Sequence, residues 1–270
     1  MTLLEVLRKA TGYLESHRSS SPRLDAEVLL AHVLGVRRLD LYLQFDRILD
    51  ESQLAPYREL TASRGRGEPV AYLTGHREFM ALDFEVTPDV LVPNPDTEVL
   101  VQRAVEWGRT RGGALRVADV GTGSGCIAIA VAHYLPEATV DATDISPEAL
   151  AVAARNVARR GVGDRVRLLE GDLFGPLEGR YDAVLANLPY VREGAALPPE
   201  VLAQPAIALF AGPVLVNRLL GALPALLNPG GVALLEVDAA ILADLTLDGL
   251  AGSKVHRDLG GRERVLEAWI

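Results

Sequence analysis

The sequence predicts an α/β protein: a seven-stranded, mostly parallel sheet with helices on both faces, preceded by a small helical module. Three observations carry this. Of 270 residues, 49% are hydrophobic and 23% charged, which supplies a sizeable core and excludes a fully disordered chain. Beyond Gly113, short β-branched runs alternate with stretches of helical periodicity, as in a parallel sheet covered on both sides. The first 65 residues, in contrast, show only helical spacing. A chain of this length exceeds the usual single domain, and these patterns divide it into a helical domain over 1–66, a β-hairpin linker over 67–95 and an α/β domain over 96–270.

Taken in order, Leu3, Leu4, Val6, Leu7, Ala10 and Leu14 recur on one helix face. Ser21 and Pro22 precede Leu24, Val28, Leu29 and Leu30 as a capping serine and a first-turn proline, and Gly35 closes that helix. A third pattern over 54–64 ends at Gly65 and Gly67. From 70 to 92 the segments turn strand-like, punctuated by Pro88, Pro93 and Pro95, which reads as a hairpin. Asp96 and Thr97 can cap the next helix, over 99–107. Strands then fit 116–120, 139–143, 166–169, 183–186 and 232–237, and helices fit 126–134, 147–160 and 214–227. Gly260 and Gly261 separate two strand-like runs within 254–270, which predicts a terminal antiparallel hairpin at one sheet edge.

Composition narrows the function. The chain carries 27 basic and 36 acidic side chains, a net charge of −9. Residues 1–80 hold 11 of each, so the whole acidic excess follows them. Affinity built on phosphate neutralisation needs the opposite balance, and no direct nucleic-acid binding is expected. Arg155, Arg159 and Arg160 read as a solvated helix face. No apolar run approaches the roughly 20 residues of a bilayer crossing, and the opening MTLLEVLRKA lacks a signal-peptide pattern, so no membrane association and a cytoplasmic location are expected. The single cysteine, Cys126, forbids an intrachain disulfide and reads as a small core residue. His17, His32, His76, His133 and His256 are scattered, without a metal-ligand spacing, so no metal is expected.

Asp119-Val120-Gly121-Thr122-Gly123-Ser124-Gly125 lies where the first sheet strand meets a helix. Glycine is needed there because the backbone turns sharply and approaches a ligand with no side chain between. The spacing departs from G-x-G-x-x-G, hence from a pyrophosphate cradle. Asp144 ends the second strand, where a carboxylate can accept from two ribose hydroxyls; alternatively it caps the following helix. Asp172 has a similar double reading, as acceptor from an adenine amine or as a turn residue with Gly171. Asn187-Leu188-Pro189-Tyr190 follows the fourth strand and faces the crevice beyond the strand ends. It suits a planar conjugated NH2: an Asn carbonyl and a backbone carbonyl can hold the two hydrogens and align the lone pair, while an aromatic ring covers the group. An ordinary strand-ending turn is the alternative.

The run Gly67-Glu68-Pro69-Val70-Ala71-Tyr72-Leu73-Thr74-Gly75, then Arg77-Glu78-Phe79, Pro95-Asp96-Thr97-Glu98, the glycine loop, the Asn187 turn and Asp258-Leu259-Gly260-Gly261-Arg262-Glu263-Arg264 occur in one order. In this the sequence resembles, over nearly its full length, the release-factor glutamine methyltransferases, the HemK-like family. The resemblance implies a Rossmann-like class I methyltransferase domain over 96–270 that uses S-adenosyl-L-methionine. Its acceptor would be the glutamine of the Gly-Gly-Gln motif in a peptide-chain release factor, a protein bound by the N-terminal module. The cofactor would lie against Asp119, Gly121, Thr122, Gly123, Ser124, Gly125, Asp144, Asp172, Leu173 and Asn187. Asn187, Leu188, Pro189 and Tyr190 would bind the acceptor, with Asn187, Pro189 and Tyr190 catalytic. The protein is expected to act as a monomer.

The family pattern is broken at a few places. Leu188 stands where a proline is usual, although the carbonyl is retained and a residue before Pro189 is already extended. Asn94 replaces an arginine, Gln204 a glutamate and Leu173 an aromatic, and the 211–218 loop is short. Two other functions compete: an adenine-amine methyltransferase on RNA or DNA, since adenine presents the same conjugated NH2, and a degenerate homologue that binds without catalysing.

Overall fold

The computed structural model describes residues 1–258 and 260–270; Leu259, part of the 258–264 motif, lies outside the described residues. The chain divides into two compact units, 1–76 with 196–203, and 77–195 with 204–270. No helix among the described residues is long and apolar enough to cross a membrane.

The first unit is built on α1 (Leu3–Ser16), α2 (Pro22–Leu34), α3 (Glu51–Gly65) and α4 (Val70–Thr74). Thr2 and Glu5 form a reciprocal capping box on α1, satisfying two otherwise orphaned amides. Leu3, Leu14, Leu29, Leu30 and Leu41 are completely buried between the helices. Gly35 ends α2 at φ 63°, as its position suggests. The polar centre is Arg64, only 5% exposed, whose Nε donates to Asp25 Oδ2 at 2.6 Å and whose Nη1 donates to Glu200 Oε2 at 3.2 Å.

Residues 67–95, read as a hairpin throughout, are strand only in part. Val70–Thr74 is helical because Val70 and Leu73, one turn apart, pack on the helical core and Ala71 is buried; burial overrides β propensity. The hairpin itself is β1 (His76–Phe79) and β2 (Leu82–Glu85). Its tip, Met80 and Ala81, has φ of 51° and 56°, the left-handed pair a tight hairpin needs. Neither residue is glycine, so the turn is held from outside: Glu98 Oε1 accepts from Met80 N at 2.7 Å, and Tyr134 Oη donates to Met80 O at 2.7 Å. Arg155 and Arg159, read as a solvated face, remain exposed but sit against Glu85 of this hairpin, the former at 2.7 Å.

In the second unit come α5 (Pro95–Arg111), β3 (Arg116–Val120), α6 (Cys126–Tyr134), β4 (Thr139–Asp144), α7 (Pro147–Arg160), β5 (Val166–Glu170), β6 (Tyr181–Ala186), α8 (Val214–Leu226), β7 (Leu227–Glu236), β8 (Gly252–Arg257) and β9 (Glu263–Trp269). The seven strands lie in the order β5-β4-β3-β6-β7-β9-β8. Neighbours from β5 to β7 are parallel, and β9 is antiparallel to both β7 and β8. The chain winds outward from β3 to β5 and returns beside β3 as β6, which opens a crevice beyond the carboxyl ends of β3 and β6. Alternation along the strands sends Val117, Ala183, Leu185, Val232 and Leu234 into the layer of α5 and α6, and Ala118, Val184, Ala186, Ala233 and Leu235 into that of α8.

The Asp25–Arg64 pair allows a test of the first unit. Truncating one partner of a buried ion pair strands the other charge, so Arg64→Ala is expected to lose about 3 to 5 kcal/mol of stability by urea unfolding, whereas Asp25→Asn in the Arg64→Ala background should recover part of it.

Candidate active site

The glycine loop is shaped from below by Asp119. Its strand position gives it the parity of Val117, so it faces α6, and it is fully buried. Oδ2 accepts from Thr122 Oγ1 at 2.6 Å and from Ala128 N at 3.1 Å, which ties the loop to the first turn of the helix. Oδ1 has no hydrogen-bond partner among the described residues. Burial pushes the Asp119 carboxyl up to about 7, against the lowering effect of its two donors. Gly121, Gly123 and Gly125 have φ of 78°, 56° and 80°, a run of left-handed backbone that residues with a Cβ enter only with strain. A Cβ on Gly125 would lie 3.3 Å from that of Ala153 on α7, whereas one on Gly123 would meet nothing within 4 Å. The loop therefore packs backward at Gly125 and presents bare backbone at Gly123.

Asp144 closes the far side of the loop. Its Oδ2 accepts from Gly123 N at 2.8 Å and its Oδ1 from Ser146 N at 3.0 Å. Helix α7 is capped by Ser146, whose hydroxyl accepts from Ala149 N, so capping leaves Asp144 with a lone pair on each oxygen. Leu173 is held at φ 52°, uncommon for a branched side chain, and its carbonyl accepts from Thr143 Oγ1 at 2.7 Å. Asp172 is exposed and paired with Arg218 of α8, Nη2 to Oδ2 at 2.7 Å.

The turn 187–190 is fixed by a relay of side chains. Asn187 lies one residue beyond β6, on the parity of Leu185, and its Nδ2 donates to Thr97 Oγ1 at 3.0 Å. Thr97 Oγ1 donates to Glu236 Oε2 at 2.5 Å, and Tyr190 Oη donates to Glu236 Oε1 at 3.1 Å. Thr97 and Glu236 are each 2% exposed. Burial raises the Glu236 carboxyl to about 7, with Asp96 pushing the same way and Thr97, Tyr190 and Arg264 opposing. Burial also lifts the Tyr190 hydroxyl far above its usual range, with the adjacent Glu236 adding to the effect. Sequence reading gave Asp96 and Thr97 a capping role. The cap is Asn94, whose side chain accepts from Asp96 N at 3.1 Å; Asp96 instead pairs with Arg264 at 3.0 Å.

These pieces surround a cavity of about 420 Å³ in the second unit. Of the residues expected at a site, Gly121, Thr122, Gly123, Ser124, Asp144, Asp172, Leu173, Asn187, Leu188 and Pro189 line it. Asp119, Gly125 and Tyr190 stand behind its wall: Asp119 under the loop, Gly125 against α7, and Tyr190 against the α8-side core with its hydroxyl on Glu236. The Leu188 side chain is buried beneath Gly121, 3.0 Å from where a Cβ would be, so only its backbone is left for a ligand. Thr97, Arg218 and Glu236 were missed. Glu236 had a signal, a lone acidic residue ending the apolar run Val232-Ala233-Leu234-Leu235. Cys126 is buried in the same wall with its thiol pushed up to about 12 by burial, which leaves it unreactive.

Comparison with known proteins follows the same division. The PrmC N-terminal domain family matches residues 5–75 and the methyltransferase small domain family matches residues 96–215. The release factor glutamine methyltransferase of Bordetella pertussis is 44% identical, covering 100% of each chain. That of Rhodopirellula baltica is 40% identical over 98% of this chain and 95% of its own. Among solved structures, the 16S rRNA N2 G1207 methyltransferase of Thermus thermophilus, in complex with AdoMet and guanosine, superposes with a TM-score of 0.56 at 18% identity, covering 72% of this chain and 49% of that one; it shares the fold.

Asp119 makes stability depend on pH in a definite sense. Its carboxyl is raised from 3.8 to about 7 on folding, so between these values the folded chain keeps a proton the unfolded chain has lost, and stability falls as pH rises through this window. Asp119→Asn has no such proton. Its stability relative to wild type, from urea unfolding, should improve between pH 5 and pH 8 by a few kcal/mol at most; a constant difference would show that Asp119 is ionised throughout.

Proposed function

The chain belongs to the release factor glutamine methyltransferase family, and from that premise we propose that it methylates the side-chain amide of the glutamine in the Gly-Gly-Gln motif of a peptide-chain release factor, using S-adenosyl-L-methionine. The observation that carries the reading is Asn187: its Nδ2 is spent on Thr97, which leaves Oδ1 as an acceptor at the wall of a cavity shared with the glycine loop.

The cavity suits the donor. Its volume of about 420 Å³ falls within the range of small-molecule sites, Gly123 offers backbone that no Cβ covers, and Asp144 keeps acceptor capacity for vicinal hydroxyls. S-adenosyl-L-methionine supplies there a methyl group on a sulfonium, an electrophile that needs no metal to activate it. The protein's task concerns the other reactant. A carboxamide nitrogen is a weak nucleophile because its lone pair is delocalised into the carbonyl. Asn187 Oδ1 and the Leu188 carbonyl each accept one of its hydrogens, which fixes the nitrogen in one orientation and raises electron density on it. Most of the acceleration is then positional. Pro189 stiffens the turn, and Tyr190 braces it from behind the cavity wall through its hydrogen bond to Glu236. Residues 1–66 hold the body of the release factor; Leu39, Leu43 and Ile48, at 67%, 85% and 69% exposed, offer it an apolar surface on that unit. Residues 67–95 are the linker and 96–270 the catalytic domain, working in the cytoplasm with the translation machinery.

Mass spectrometry of a release factor incubated with enzyme and S-adenosyl-L-methionine should locate one added methyl on the Gly-Gly-Gln glutamine. Asn187→Ala should abolish that shift while leaving cofactor affinity within about tenfold, since the acceptor grip goes and the glycine loop stays. Labelled ribosomal RNA beside an unlabelled release factor would overturn the choice of acceptor.

A further inference from the structure

We propose that Glu236 is a positioning residue for this reaction: by accepting from Thr97 and Tyr190 at once, its carboxylate decides which atom of the Asn187 carboxamide faces the acceptor. The inference rests on the reading of Asn187 given above, and follows from hydrogen counts. A threonine hydroxyl has a single proton to donate. Thr97 Oγ1 sits 2.5 Å from Glu236 Oε2 and 3.0 Å from Asn187 Nδ2. An ionised carboxylate only accepts, so the proton goes to Glu236 and a lone pair of Thr97 remains for Asn187. Asn187 must meet that lone pair with its NH2, which turns Oδ1 to the acceptor. The two ends of a carboxamide have nearly the same shape and packing cannot distinguish them; the carboxylate can. With the relay reversed, Asn187 would present N–H to the N–H of a glutamine and repel it.

The second oxygen extends the control along the turn. Tyr190 Oη donates to Oε1 at 3.1 Å, so one buried carboxylate fixes both ends of 187–190 through side chains from two different segments. The charged and titratable groups around Glu236 are Asp96 on α5, Arg264 on β9, Tyr190 and Asp238 beside the turn, and the Cys126 thiol on α6. Arg264 is itself divided among Asp96, Asp238 and Asp258. The Glu236 carboxyl is raised to about 7. Once protonated, it donates from one oxygen and competes with Thr97 or Tyr190 for direction, so the relay holds only in the ionised form.

The test compares wild type with Glu236→Gln and Thr97→Val, the second of which leaves the carboxylate and cuts its link to Asn187. Both are expected to lower kcat about 10- to 100-fold, the scale of a small misplacement of reacting groups, with cofactor Kd and acceptor KM within about threefold. Wild-type kcat should rise between pH 6 and pH 8 around a midpoint near 7, a limb that Glu236→Gln loses. In the cofactor-free protein, the side-chain NH2 resonances of Asn187 should titrate with that midpoint in wild type and be pH-independent in Thr97→Val. Turnover of Glu236→Gln within twofold of wild type, an unchanged pH limb, or a titration that persists in Thr97→Val each overturns the proposal. If wild type methylates no release factor while the NMR titration behaves as stated, the positioning relation stands and the acceptor assignment falls.

Discussion

Side-chain alternation along three neighbouring parallel strands is the constraint on which the site depends. Val117, Leu185 and Leu234 enter the same layer, and two residues further on each strand leads to Asp119, Asn187 and Glu236. Two carboxyls and a carboxamide are thus delivered, without any special local conformation, to the same face at the same end of the sheet. There α5 and α6 begin, and their first turns carry the partners: Thr97 for Asn187 and Glu236, Ala128 N for Asp119. A register slip of one residue in β6 or β7 would send these groups to the α8 side.

The two buried carboxylates have parallel duties. Each costs desolvation energy, visible as carboxyls raised to about 7, and each organises an irregular segment the sheet cannot specify. Asp119 holds the glycine loop and Glu236 holds the Asn187 turn. They differ in what remains over. Asp119 keeps one oxygen without a partner among the described residues, whereas both oxygens of Glu236 are used. Positioning two segments through buried carboxylates rather than exposed pairs keeps water, which would compete for the same hydrogen bonds, out of the relay.

What could be read from the sequence was local. Helices over 126–134 and 147–160 and the strand over 116–120 have the bounds their periodicity and flanking glycines indicate, and the glycine loop, Asp144 and Asn187 converge on one cavity. What escaped was non-local. Thr97 resembles a helix cap until Glu236, 139 residues later, is placed beside it. Asp172 gives no hint of Arg218, 46 residues on. Val70–Thr74 carries two β-branched residues and an aromatic, and is helical only because its apolar face has a core to cover. In each case the deciding energy is a tertiary contact, to which spacing along the chain is blind.

The leucine at 188 shows how the glycine loop and the strand-ending turn are kept together. Its side chain lies under Gly121, so close that a Cβ there would approach Cδ2 to 3.0 Å, and it is 4% exposed. The strand-ending turn and the glycine loop therefore rest on each other through an apolar contact that needs no ligand. Three features follow from that one contact. A Cβ on Gly121 would press on Leu188 and force it to shift, quite apart from the strain of a φ of 78°. The second residue of the turn is free to be any apolar group that fills the gap, because its side chain is spent on that packing. And the distance between the glycine-loop backbone and the Asn187 turn is set by core packing, which is stiff, so the two walls of the cavity keep their spacing without a ligand.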